Sequence, residues 1–172
     1  LISGYNDAIH DGLLASMLQS LDAQNGIDEI IYFNGRSIVP VGASKYLDGS
    51  GNRPVSKHES VPALNLAEIS GELQQSKRIV IIDGLDSTKE FHSGPASFRP
   101  VKKDDPPSPQ ESLKKILEDG PLQGTFVIAF ADNWKRCNSS CKDLLGFFEM
   151  RVGFCMNEDD AGSFVSGAIG KL

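Results

Sequence analysis

Residues 79–83 read Ile79-Val80-Ile81-Ile82-Asp83. Four consecutive branched apolar side chains are too few for a helix and leave no wet face for a half-exposed strand. The stretch is therefore a strand covered on both faces that delivers a carboxylate at its carboxyl end. Two other segments share this character, Ile30-Ile31-Tyr32-Phe33 after Glu29, and Phe126-Val127-Ile128-Ala129-Phe130. Leu1-Ile2-Ser3 reads as the tail of a further buried strand, and residues 150–156 as a last one. Between the strands the apolar period changes to 3.6, with Ile9, Leu13, Leu14, Met17, Leu18 and Leu21 on one face of a helix over 8–24 that Gly26 stops. Residues 64–75, 111–119, 137–147 and 159–169 read as helices too. Strands alternating with helices predict an α/β fold, a three-layer sandwich around a mostly parallel central sheet. In such sheets ligands sit beyond the carboxyl ends of the strands, which gathers Gly4, Asp83 and Asp132.

The 172 residues suit one domain, and the 40% hydrophobic fraction supplies a core for it. No apolar run approaches the roughly 20 residues of a membrane span. With 17 basic and 23 acidic side chains the formal charge is −6, so the domain as a whole is not drawn to a phosphate backbone. Lys102 and Lys103 could touch DNA, but Asp104 and Asp105 cancel them. Three cysteines, Cys137, Cys141 and Cys155, favour reduced thiols and a cytoplasmic address. Cys137 and Cys141 would share a helix face, yet no histidine lies near to complete a metal site. No leader precedes the first strand, and the chain reads as part of something longer. Residues 35–62 look like a long surface excursion with a short strand at 38–41. Residues 86–110, with five prolines and mixed charges, read as a disordered loop.

A strand, then Gly4, then a seven-residue turn running into a helix, with a second apolar strand ending in Asp83, is the layout of a P-loop NTPase. The downstream segments narrow it: Gly124-Thr125-Phe126-Val127-Ile128-Ala129-Phe130-Ala131, then Phe148-Glu149-Met150-Arg151-Val152-Gly153-Phe154, then Asn157-Glu158-Asp159-Asp160 before the last helix. In order and spacing these resemble the motor domain of the FtsK/SpoIIIE DNA-translocase family, across most of the chain. The resemblance implies a RecA-like P-loop sandwich, with Gly4, Asn6, Asp7, His10 and Asp11 in the phosphate loop and Asp83 as the Walker B aspartate that steadies Mg²⁺. It also implies Asp132, or its neighbour Asn133, in the polar sensor position.

The same comparison exposes departures. With Gly4 on the first glycine, Ile9 falls on the second, His10 on the lysine and Asp11 on the Ser/Thr that holds Mg²⁺. Asp11 would face a polyanion, and like unit charges at ~4 Å repel by ~4 kcal/mol at an effective dielectric of ~20. A helix amino terminus offers free N–H groups and partial positive charge, and Asp7 or Asp11 can satisfy both from within the chain. Asp83 is followed by Gly84 where the family has a water-positioning glutamate, and Asp86 is the nearest substitute. Arg151 could act on a neighbouring subunit's nucleotide or form a plain salt bridge, and Trp134, on an exposed turn, could anchor an interface.

The expectation is a degenerate, non-catalytic ATPase module of an FtsK/SpoIIIE-like translocase that braces or regulates active modules. It would act in a homo-oligomeric ring, with duplex DNA reached through the assembly and no cofactor of its own. Two alternatives stand beside it: an active ATPase in which Asp11 and Asp83 hold Mg²⁺ and ATP, and an interaction module of a secretion or defence assembly.

Overall fold

The computed structural model describes residues 1–4, 6–36, 41–48, 55–58, 63–71, 77–93 and 107–169. Six parallel strands form one sheet: β1 (Ile2–Gly4), β2 (Glu29–Asn34), β3 (Val55–His58), β4 (Arg78–Asp83), β5 (Thr125–Ala131) and β6 (Val152–Phe154), in the order β3-β2-β4-β5-β1-β6. Helices cover both faces. α1 (Asp7–Ala23) and the short α2 (Ser44–Leu47) lie on one side. The other side carries α3 (Ala63–Gly71), α4 (Pro109–Asp119), α5 (Trp134–Ser140), α6 (Lys142–Leu145) and α7 (Glu158–Ile169). The three-layer parallel α/β sandwich expected from the apolar strands is thus observed.

The two cores follow the period-2 alternation of the strands. Ile30, Tyr32, Ile79 and Ile81 face α1, where Leu14 and Leu18 are fully buried. Ile31, Phe33, Val80 and Ile82 face α3, α4 and α5. Each such buried Leu or Ile contributes about 1.5–3 kcal/mol of burial free energy. This alternation continues past the apolar residues and aims Asp83, two residues beyond Ile81, at the α1 face. The register places Asn34 beside Asp83, and Asp83 beside Phe130.

Local signals set the helix ends. Asn6 caps α1 by accepting from Ile9 N at 3.0 Å. Ser108 and Glu111 form a capping box at α4, with Pro109 at its first position.

Several expectations change. Residues 55–58 add an edge strand to the sheet from what reads as a surface excursion, and α2 lies in the same stretch. Val41 opens a short 3-10 turn, while the rest of the expected strand at 38–41 lies outside the described residues. The anticipated disordered loop does not begin at residue 86: Asp86 and Phe91 are fully buried, and a 3-10 turn spans Lys89–Phe91. Phe91 joins the core, which the proline-rich composition of its neighbours masks. Residues 107–110 at the other end of that stretch lead into and begin α4, while residues 94–106, with Lys102 and Lys103, lie outside the described residues. The expected helix over 137–147 is two short helices, starting earlier because Asn133 caps α5 by accepting from Arg136 N at 2.9 Å.

Candidate functional site

Asp83 is the centre of a buried polar cluster at the carboxyl end of β4. Its Oδ2 accepts from the Tyr32 hydroxyl at 2.6 Å, from the adjacent strand β2. Its Oδ1 faces His10 Nε2 at 2.9 Å, out of line for a straight hydrogen bond, so charge supplies most of that attraction. Asp83 is fully buried and His10 3% exposed. Arg36, just beyond β2, closes the cluster. Its Nε donates to Asp132 Oδ2 at 3.0 Å, its Nη1 meets His10 Nδ1 at 2.7 Å, and its Nη2 donates to Asp7 Oδ1.

A guanidinium only donates, so Nδ1 of His10 accepts and the imidazole proton sits on Nε2, toward Asp83. Burial opposes a second proton on His10, but the Asp83 carboxylate outweighs it and raises the pKa above the ordinary 6.5. When that proton arrives, Nδ1 must donate, and Asp11 Oδ1 at 3.5 Å is the acceptor in reach. Burial, reinforced by Asp83, pushes the Tyr32 phenol far up, so it stays a donor. The Asp132 carboxyl is raised by burial, with Arg36 opposing.

A second knot stands behind the first. Asp86, fully buried, accepts from the backbone N–H groups of Asp132 and Asn133 at 3.1 and 3.2 Å and from Arg136 Nε at 2.8 Å. Its oxygens hold the β5–α5 turn in place, which leaves no free carboxylate to position a water. Asn133 spends its side chain on the α5 cap.

The expected phosphate loop does not form a cradle. Only Tyr5 and Asn6 separate Gly4 from the first residue of α1, so His10 and Asp11 lie within the helix rather than in a seven-residue turn. Asn6 takes up an amino-terminal N–H of α1, and Asp7 sits in the first turn, paired with Arg36. Gly4 is required by β6, because a Cβ there would run into the carbonyl oxygen and ring of Phe154. Gly84 has φ +88, and a Cβ on it would strike Arg36 Cγ at 2.7 Å. The position of the family's glutamate thus belongs to a left-handed turn packed under Arg36.

Gly4, Asp7, His10, Asp11, Asp83 and Asp132 do converge on one end of the sheet. His10 is buried, not a partly exposed helix-start residue, and Asp83 bonds side chains rather than loop backbone. Trp134 is 2% exposed, not on an exposed turn: its Nε1 donates to Ser163 Oγ at 2.8 Å and its ring meets Phe164 edge-on. Arg151 donates to the Leu145 carbonyl at 2.6 Å and lies over the Trp134 ring at 5.9 Å. Cys137 and Cys141 are buried together, which raises the Cys137 thiol pKa, and no His/Cys/Asp/Glu group suited to a metal occurs among the described residues. Sequence reasoning missed Arg36, Tyr32 and Arg136. The signal available for Arg36 was its place directly after a buried strand, two residues beyond Asn34.

Beside this cluster a cavity of about 310 Å³ opens at the carboxyl ends of β1, β5 and β6. Its walls include Ser3, Asp132, Trp134, Met156, Asn157 and Asp160. No described helix is long and apolar enough to cross a membrane.

No family model matches the chain, and no curated protein matches it. Among solved structures the chain is similar to a single-site variant titled "SPT with PLP", at 15% identity and a TM-score of 0.41. The match covers 81% of this chain and only 32% of that one, and no functional reading rests on it.

Proposed function

We propose that the chain is a degenerate, non-catalytic ATPase module of an FtsK/SpoIIIE-like DNA translocase, packing against active modules and bracing or regulating them. The sheet order supports this reading, since β5, the strand of the sensor position, lies between β1 with Gly4 and β4 with Asp83. RecA-like motors share that order. The observation that carries the non-catalytic part is the engagement of Asp83. Its two oxygens are occupied by Tyr32 and His10, and Arg36 covers the place where a nucleotide's phosphates and Mg²⁺ would approach.

Ligand entry would require breaking a buried, paired charge cluster, which costs about 3–5 kcal/mol when one partner is lost. That is comparable to the whole free energy of millimolar binding. Calorimetric titration of the chain with ATP and Mg²⁺ is therefore expected to give no saturable heat into the millimolar range. Micromolar affinity, or phosphate release above background, overturns the proposal in favour of an active motor.

A further inference from the structure

The cavity beside β1 exists because one row of the sheet has almost no side chains. In register across three strands stand Ala131 of β5, Ser3 of β1 and Gly153 of β6. Paired residues of parallel strands project to the same face, and Ala131 faces the α5–α7 layer. Three small residues in that row leave a hollow between the sheet and the helices, and Trp134 and Met156 wall it on the apolar side.

At the floor lies the Ser3 hydroxyl, fully buried and without a hydrogen-bond partner among the described residues. A buried hydroxyl left unpaired costs about 1–3 kcal/mol, so the fold maintains a cost there that a ligand atom would relieve.

The chemistry of the rim decides what that ligand is. Two helices begin at the cavity, but their amino-terminal donors are already used within the chain. Asn133 accepts from Arg136 N, Asn157 accepts from Asp160 N at 2.8 Å, and Asp86 takes the N–H groups of Asp132 and Asn133. An anion therefore finds few donors. The carboxylates of Asp132 and Asp160 remain as acceptors, with Glu158 and Asp159 adding negative charge in the first turn of α7. A bare metal ion does not fit, because no described group of His, Cys, Asp and Glu is arranged to hold one. The volume, too, is that of a small-molecule site, for which ~300 Å³ is the lower end.

We propose that this cavity binds a small organic cation, an alkyl-ammonium or alkyl-guanidinium compound, whose charged head lies between Asp132 and Asp160, bonds the Ser3 hydroxyl, and packs its carbons on Trp134 and Met156. The proposal is independent of the nucleotide reading, because it concerns the far side of β1 and holds whether or not ATP binds.

The chain's single tryptophan is in the cavity wall and supplies the readout. Titrating the 172-residue chain with agmatine and with n-butylammonium is expected to change Trp134 fluorescence saturably. Pentanol and butyrate, neutral and anionic probes of similar size, are expected to leave it unchanged. Asp160→Asn keeps the side-chain shape and is expected to weaken cation binding at least tenfold. Ser3→Ala is expected to weaken it several-fold, with circular dichroism unaltered in both. A flat titration to 10 mM of either cation overturns the proposal. So does an equal response to the neutral or anionic probe, or unchanged affinity in Asp160→Asn. Should a variant fail to fold, the probe series on the natural chain decides the matter alone.

Discussion

Two aspartates at the same end of the sheet have opposite surroundings. Asp83 ends β4 in full burial, with Tyr32, His10 and Arg36 around it. Asp132 follows β5, next to β4, yet is about a quarter exposed and shares its carboxylate between Arg36 and the open cavity. The difference comes from what the flanking strands and helices present. Around Asp83 they offer large polar side chains that fill the crevice. Along the row of Ala131, Ser3 and Gly153 they offer nothing, and space remains. A parallel sheet places a crevice at the carboxyl ends of its strands, and side-chain volume decides whether it stays a site.

The sharpest way to break this contrast is Asp83→Ala, which strands His10 and Arg36 in a buried setting. A loss of about 3–5 kcal/mol in urea unfolding is expected. A loss under about 1 kcal/mol would mean that the remaining carboxylates of Asp7, Asp11 and Asp132 suffice, and that the two aspartates are alike.

A smaller effect is read against pH. The folded pKa of His10 is raised above its unfolded 6.5, so the proton binds the folded chain more tightly. The stabilisation is full below pH 6.5 and fades as pH rises through the folded midpoint. The imidazole resonances of His10 should titrate above 6.5. A midpoint below it would mean that burial and Arg36 dominate over Asp83.

The smallest effect is on the open side. Ser3→Ala removes an unpaired buried hydroxyl and is expected to raise stability by about 1 kcal/mol in the absence of ligand. A comparable loss would reveal a hydrogen bond to this hydroxyl and close the distinction between the two regions.

The candidate site was legible in part. The run of residues 79–83 announces a strand with an acid at its end, and Asn6 and Gly26 bracket α1, because these signals are local in the chain. That Asp83 needs partners follows from its position after four apolar residues. Which partners it has does not, since Tyr32 and Arg36 come from another strand and its exit, 51 and 47 positions earlier. Trp134 shows the same limit from the other side: turn-like neighbours suggest exposure, while Ser163 and Phe164 on a distant helix bury it.

By itself the sequence determined the alternation of apolar strands with amphipathic helices, and with it the layered sheet and the end at which polar groups collect, because both depend on periods of two and 3.6 residues along the chain. Only the tertiary structure decided that one crevice at that end is filled by His10 and Arg36 while its neighbour stands open. That outcome depends on which side chains meet across strands, where charge, volume and burial act between residues that the chain itself keeps far apart.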